Sequence, residues 1–201
     1  MDPITRIVLV RHGFVEGIEP ERFRGRTDLE LTAKGVEQAE AAGKRIAAMW
    51  RPVIIYTSPL RRCIVTGAAV ARATGVSAKT LESLTDISYG SWQWKTPVEV
   101  GARWPHLLEE WRTRPDLVRI PAGDSLQDVA VKAADALRHV RENHINQTVV
   151  LVSHDTVIRV LLLLLLQLPL SAYRRFNVDP GSISEVTTSG EAVTLQRLNL
   201  T

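Results

Sequence analysis

Two short apolar stretches, one near each end of the chain, decide how this sequence folds. Residues 7–13 read IVLVRHG, and residues 149–154 read VVLVSH. Each begins with a run of Val, Ile and Leu, which is typical of a strand buried on both faces of a parallel sheet. Ligands bind at the carboxyl ends of such strands. If the two strands are neighbours, His12 and His154 lie at one edge of the sheet, with Arg11 beside the first histidine.

The composition predicts a globular protein with one domain. The chain has 201 residues, of which 45% are hydrophobic and 23% charged, and a formal net charge of +3. This small charge, without a basic stripe interleaved with aromatic residues, does not favour nucleic-acid binding. The single cysteine, Cys63, cannot form an internal disulfide. Because the start of the chain also lacks the pattern of a signal peptide, we expect a cytoplasmic protein.

One apolar segment has to be compared with a membrane span. Leu161–Leu166 is an uninterrupted run of leucine, preceded by Arg159. A membrane-spanning helix needs about 20 apolar residues, and this stretch is far shorter. We therefore expect a buried helix at this position and no interaction of the protein with a membrane.

Strands and helices alternate along the chain. The sequence predicts strands at about residues 6–10, 53–56, 76–81, 148–152, 183–187 and 192–198. It predicts helices at about residues 31–50, 58–73 and 125–143 and a further helix after residue 154, with N-caps at Thr32, Ser58 and Ser125. This alternation indicates an α/β fold with a mostly parallel sheet, helices on both faces and an antiparallel edge formed by the terminal hairpin.

The segment at about residues 86–122 has a different composition. It contains four of the five tryptophans and four of the ten prolines. We interpret it as a small insertion that covers the active site like a cap, within a single domain that spans residues 1–201.

The tripeptide Arg11-His12-Gly13 suits phosphate chemistry. A neutral imidazole can attack phosphorus through one ring nitrogen while the other holds a hydrogen bond. The neighbouring guanidinium can bind phosphate oxygens, and it disfavours protonation of the histidine. Gly13 would let the backbone approach the phosphate. By itself, the tripeptide is equally compatible with an ordinary strand end.

Two further segments follow buried strands and lead into helices. Residues 57–66 read TSPLRRCIVT, and residues 152–155 read VSHD. The first can direct an arginine and a helix N-terminus at the same anion as the tripeptide. The alternative is a capped surface helix with ordinary arginines.

Five motifs in the same order resemble the histidine phosphatase superfamily, which includes the cofactor-dependent phosphoglycerate mutases. They are RHG at residues 11–13, GRTDLELTAKG at 25–35, SPLRRCIVT at 58–66, GDS at 123–125 and VSH at 152–154. The resemblance implies that His12 is the nucleophile and forms a phosphohistidine. It also implies a phosphate clamp of Arg11, Arg62 and His154, in which the motif selects Arg62 rather than Arg61.

The general acid is the position at which this chain departs from the family. Where members commonly show Leu-x-Glu-x-x-x-Gly-x-Trp-Glu-Gly, residues 84–94 read LTDISYGSWQW. Asp86 takes the position of the acid with a side chain one methylene shorter, and Glu82 is the rival. A carboxyl among apolar neighbours has a raised pKa and can donate a proton near neutral pH.

A second departure affects substrate binding. The family often has Thr two residues after the glycine of the first motif, whereas this chain has Phe14 and Val15 there. We expect Arg24 or Ser58 to supply the missing polar contact. The residues that we expect to contact the substrate are Gly13, Arg24, Gly25, Ser58 and Trp92. We expect Trp104 and Trp111 to pack the insertion against the sheet.

These observations predict a phosphomonoester hydrolase for small phosphorylated metabolites, acting through a phosphohistidine. No Cys, His or Asp cluster has the spacing of metal ligands, so we expect neither a metal nor a cofactor. We expect a monomer or a homodimer. Two alternatives remain open: a cofactor-dependent phosphoglycerate mutase, and a non-catalytic protein that binds phosphorylated ligands.

Overall fold

A computed structural model describes residues 3–201, and within that range six strands form one sheet. The strands are β1 (Ile4–Arg11), β2 (Ile54–Thr57), β3 (Ala78–Thr80), β4 (Thr148–Ser153), β5 (Ile183–Ser189) and β6 (Ala192–Leu200). Their order is β3-β2-β4-β1-β5-β6. The first four of these are mutually parallel, while β5 and β6 are antiparallel to their neighbours. The predicted mostly parallel sheet with an antiparallel edge is confirmed.

The helices also follow the predicted pattern. They are α1 (Ala33–Met49), α2 (Arg61–Thr74), α3 (Pro97–Arg103), α4 (Pro105–Thr113), α5 (Leu126–Asn143) and α6 (Asp155–Leu165). Thr32 caps α1 by accepting a hydrogen bond from the Gly35 amide, as predicted. Ser125 and Asp128 form a capping box at the start of α5, because each side chain accepts from the other residue's amide.

The predicted start of α2 was wrong by three residues. Leu60 is the N-cap and no side chain caps the helix. The Ser58 hydroxyl is engaged with His154 instead, at 2.7 Å from Nε2. Ser58 therefore belongs to the loop between β2 and α2, with its side chain facing the end of β4.

Helices on both faces of the sheet explain the continuous apolar runs of β1 and β4. Val8 and Val10 pack in one core cluster with residues of α1 and α2. Ile7 and Leu9 pack in a second cluster with residues of α5 and α6. Alternate residues of a strand point to opposite faces, so a strand covered on both sides has no polar face.

The leucine run lies in α6 and contributes to the second core cluster. The expected buried helix is thus confirmed. Among residues 3–201, no helix is long and apolar enough to cross a membrane.

The tryptophan-rich segment forms α3, α4 and two 3-10 helices at Gly90–Trp92 and Pro115–Leu117. Its centre is an aromatic cluster in which the ring centroid of Trp92 lies 5.1 Å from that of Phe23 and 6.3 Å from that of Trp111. The segment is therefore anchored to the rest of the molecule by buried aromatic contacts. Its role as a cap, and the extent of the single domain, stay predictions.

Candidate active site

The carboxyl ends of β1 and β4 bring the two histidines together. The strands are parallel neighbours with Arg11 opposite Ser153, and the His12 amide donates to the Ser153 carbonyl at 3.0 Å. His12 follows Arg11 directly, and His154 follows Ser153. The two imidazole centroids are 5.3 Å apart, with an interplanar angle of 63°.

Hydrogen bonds fix the tautomer of His12. Its Nδ1 lies 2.7 Å from the Gly13 carbonyl oxygen, which can only accept, so Nδ1 carries the proton. Its Nε2 keeps a lone pair and accepts from Arg62 Nε at 3.2 Å. Burial lowers the pKa of His12 well below its usual value, and the charges of Arg62 and Arg11 lower it further. His12 is a neutral imidazole with one nucleophilic nitrogen.

Arg62 is the centre of the site. Its side chain is only 1% exposed, and its guanidinium donates to the carbonyl oxygens of Thr27 at 2.7 Å and Gly25 at 2.6 Å. Its Nε also donates to His154 Nδ1 at 3.2 Å. Arg61, by contrast, points outward and pairs with the exposed Glu30. The structure thus brings Arg62, and not Arg61, to the two histidines.

Asp86 lies beside this arginine. Its Oδ2 is 3.1 Å from Arg62 Nη2, and its Oδ1 accepts from the Ile87 amide at 2.9 Å. Burial raises the pKa of the Asp86 carboxyl, and the opposing charge of Arg62 does not cancel this effect. The rival Glu82 is exposed, lies in a 3-10 helix and does not line the cleft. The geometry therefore favours Asp86 as the proton donor.

Hydrogen bonds also fix the tautomer of His154. Because Nδ1 of His154 accepts from Arg62, its Nε2 carries the proton that it donates to Ser58 Oγ at 2.7 Å. Burial, followed by the charge of Arg62, lowers the pKa of His154 well below its usual value. Ser58 is fully buried and does not line the cleft. The structure shows the Ser58 hydroxyl bonded to His154, and a contact of Ser58 with the substrate stays a prediction.

The site opens into a cleft of about 230 Å³, which the buried side chains of Arg62 and His154 do not themselves line. Of the predicted site residues, the cleft is lined by Arg11, His12, Arg24, Gly25 and Asp86. Arg11 donates from Nη1 to the Val178 carbonyl at 2.5 Å, while its buried Nε has no hydrogen-bond partner among residues 3–201. An unpaired buried donor is costly, so a phosphate oxygen bound at this position would satisfy it.

Two further residues predicted to contact the substrate, Trp92 and Gly13, have packing roles in the structure. Trp92 is fully buried in the aromatic cluster and does not line the cleft, because the rings of Phe23 and Trp104 pack against it. Gly13 packs directly against the backbone of Gly35 in α1. A Cβ at position 13 would lie only 2.1 Å from the Gly35 carbonyl oxygen. The small size of Gly13 serves packing of the loop against the helix.

The sequence analysis missed several residues of the cleft. Trp111, which we expected only to pack the insertion, also lines it, and the same holds for the unpredicted Tyr89, Thr156, Tyr173, Arg112 and Arg174. Tyr89 lies inside the quoted motif around Asp86, so its position was a usable signal. Nothing in the sequence links Arg174, which follows a 3-10 helix far along the chain, to this site. In the part of the chain that the structure describes, no His, Cys, Asp and Glu cluster is arranged to hold a metal ion.

A buried neutral histidine, two arginines, a second histidine and a carboxyl lie together at the ends of parallel strands, and comparison with known proteins gives the class of the protein. The chain belongs to the histidine phosphatase superfamily, branch 1, whose family model matches residues 7–201. The predicted membership and the predicted phosphatase class are confirmed.

Relatives and solved structures agree with this family. Phosphoserine phosphatase 1 of Hydrogenobacter thermophilus is 30% identical over 98% of this chain and 93% of its own. Glucosyl-3-phosphoglycerate phosphatase of Mycolicibacterium vanbaalenii is 29% identical over 91% of both chains. The structure of Bacillus stearothermophilus YhfR superposes with a TM-score of 0.92 and 26% identity, covering 98% of each chain.

Proposed function

We propose that this phosphatase hydrolyses phosphomonoesters of small metabolites by transferring the phosphoryl group to His12 and then to water. The observation that carries this proposal is the hydrogen bond from His12 Nδ1 to the Gly13 carbonyl, which keeps Nε2 unprotonated in a histidine that lines the cleft. The relatives named above act on small phosphorylated metabolites. A cleft of about 230 Å³ suits a substrate of that size.

In the first step, His12 Nε2 attacks phosphorus and forms a P–N bond while the bond from phosphorus to the leaving oxygen breaks. The carboxyl of Asp86 donates its proton to that oxygen, so the product leaves as an alcohol. Burial raises the pKa of the Asp86 carboxyl, which makes this group more readily protonated than an exposed aspartate. The guanidinium groups of Arg11 and Arg62 stabilise the negative charge of the transferring phosphoryl group.

In the second step, the Asp86 carboxylate accepts a proton from water as the water oxygen attacks phosphorus. The P–N bond breaks, inorganic phosphate forms and His12 returns to its neutral state. His154 acts with Arg62 in the clamp, since the two are joined by the hydrogen bond to Nδ1. Arg24, whose guanidinium lines the cleft and bonds the Gly17 carbonyl, takes the position of the polar contact that the first motif lacks.

The alternative of a protein that only binds phosphorylated ligands is disfavoured by Asp86, because the acid position is filled by a buried carboxyl next to the clamp. Release of inorganic phosphate from p-nitrophenyl phosphate and from an alkyl phosphate tests the proposal. We expect turnover of both substrates. An assay of 3-phosphoglycerate isomerisation separates a phosphatase from a mutase, and we expect no isomerisation. Absence of phosphate release would contradict the proposed function.

A further inference from the structure

Two arginines from separate parts of the chain meet at the rim of the cleft. Arg112 belongs to α4, and Arg174 follows the 3-10 helix Leu170–Ala172, which connects α6 to β5. Both are exposed and both line the cleft. Arg174 Nη2 donates to the carbonyl of Trp111 at 2.7 Å, which fixes it next to Arg112 in space.

Two of the three acidic residues that line the cleft are paired with other arginines. Asp155 pairs with Arg159 at 2.8 Å, and Asp86 pairs with Arg62. Within residues 3–201, neither Arg112 nor Arg174 has an ion-pair partner. The exposed carboxylate of Glu21 also lines the rim and offsets one of these charges. A net cationic rim attracts an anion and increases its local concentration.

An aromatic wall accompanies this pair of arginines. Tyr89, Trp111 and Tyr173 all line the cleft, and the Trp111 and Tyr173 centroids are 6.1 Å apart. The Arg174 guanidinium lies 5.9 Å from the Trp111 ring and 5.7 Å from the Tyr173 ring. Stacking of this kind restricts the orientation of a guanidinium and leaves N–H groups at its edge for a ligand.

The cleft thus has two cationic ends. At the buried end, Arg11 and Arg62 surround His12, and at the exposed end Arg112 and Arg174 lie beside the aromatic rings. We propose that the substrate is a phosphomonoester with a second anionic group, a carboxylate or a second phosphate, which Arg112 and Arg174 bind while the apolar part of the substrate contacts the aromatic wall. This inference rests on the proposed phosphatase function, because it assumes that the reacting phosphate occupies the buried end.

A matched series of substrates tests the inference. Hydroxypentyl phosphate, carboxypentyl phosphate and pentanediol bisphosphate share one alkyl chain and differ in the group at the far end. For the wild-type protein, we expect kcat/KM to be roughly five- to tenfold higher for at least one anionic substrate than for the neutral one, the scale of a partly shielded ion pair. The anionic substrate with the higher kcat/KM shows whether the second anionic group is a carboxylate or a phosphate. The preference should shrink as ionic strength rises.

Variants assign the preference to the two arginines. In the double variant Arg112→Gln, Arg174→Gln, we expect the ratio of kcat/KM for the anionic substrate to kcat/KM for hydroxypentyl phosphate to fall to about one. The single variant Arg112→Gln should lose part of the preference. Arg103→Gln is a matched control, since Arg103 also stacks on a tryptophan, at 4.8 Å from the Trp104 ring, but does not line the cleft.

The results separate this inference from the proposed function. Hydrolysis of the neutral substrate without any preference for the anionic ones would overturn the inference and leave the phosphatase function standing. A preference for the anionic substrates that persists in the double variant would also overturn the inference and leave the phosphatase function standing. If the wild-type protein hydrolyses none of the three substrates and also fails on p-nitrophenyl phosphate, the proposed function itself is wrong.

Discussion

The side chains of His12 and His154 face one another across the boundary between two parallel strands, with ring centroids 5.3 Å apart. One guanidinium joins them, since Arg62 Nε lies 3.2 Å from His12 Nε2 and 3.2 Å from His154 Nδ1. Burial, and then the charge of this shared cation, lowers the pKa of both imidazoles well below the usual value. Arg62 is itself 1% exposed and contacts the two imidazoles from the protein side rather than from the cleft.

The first prediction concerns Arg62. Replacing it with alanine should lower kcat by roughly tenfold or more relative to Arg61→Ala, because only Arg62 can stabilise charge on the transferring phosphoryl group. Arg61 is the matched control, since it is the adjacent arginine and is paired at the surface. Steady-state kinetics check this expectation, and thermal unfolding shows whether each variant is folded. Equal losses in the two variants would refute the assignment.

Asp86 gives a prediction that depends on the leaving group. Asp86→Asn should slow hydrolysis of an alkyl phosphate by about 10²–10⁴-fold, the usual contribution of general acid catalysis. The loss should be much smaller for p-nitrophenyl phosphate, whose leaving group needs little protonation. Glu82→Gln, a change in an exposed carboxylate, should affect neither substrate. The reversed pattern between the two variants would show that Glu82 is the acid.

The buried histidines predict how stability changes with pH. Because the folded-state pKa of His154 lies below the value of about 6.5 in an unfolded chain, the unfolded chain binds a proton that the folded one does not. The free energy of unfolding should therefore fall as pH drops below about 6.5, by up to roughly 1.4 kcal/mol per pH unit for each such histidine. His12 acts in the same direction.

Asp86 partly offsets this slope, because its raised folded-state pKa means that the folded chain holds the extra proton between about pH 4 and that pKa. Urea unfolding of the wild type and of His154→Gln between pH 7 and pH 5, the interval that contains the unfolded-state histidine pKa, measures the difference. The variant should lose stability less steeply. Parallel slopes for the two proteins would show that His154 does not titrate in this way.

Gly13 gives a prediction about folding. Alanine at this position would place Cβ 2.1 Å from the Gly35 carbonyl oxygen, and both partners are backbone. Gly13→Ala should therefore cost more than about 3 kcal/mol, the range of severe core overpacking. In the control Gly101→Ala, the new Cβ meets only a flexible end of Leu108 at 3.2 Å, and the change should stay within about 1 kcal/mol. Denaturant unfolding compares them, and similar costs would argue against the packing role.

Much of the fold followed from local patterns. The apolar runs before His12 and His154 predicted buried strands because a strand covered on both faces has no polar side, whereas the structure shows that the two strands are neighbours. The capping box of Ser125 placed the start of α5, since its hydrogen bonds are local. Ser58, in contrast, looked like a cap in sequence but bonds His154 from the end of another strand. A hydrogen-bond partner as distant in sequence as His154 gives no signal in the residues around Ser58.

The cleft wall was harder to predict than its floor. The sequence of the segment 86–122 does not show which tryptophans face the cleft. Trp92 is buried, whereas Trp111 lines the cleft. Short helices joined at sharp turns give too little periodicity to show which face is inward. Arg174 reaches the rim from the connection before β5, and only the packed structure shows this proximity.

The most direct test of the account is to find the phosphoryl group on the protein. Rapid mixing with an alkyl phosphate, a quench without acid and peptide mass analysis should show one added phosphoryl group on the peptide that contains His12. His12→Ala should show no adduct and no turnover, whereas Glu82→Gln should retain both. An adduct on another residue, or wild-type turnover in His12→Ala, would contradict the proposal that His12 is the nucleophile.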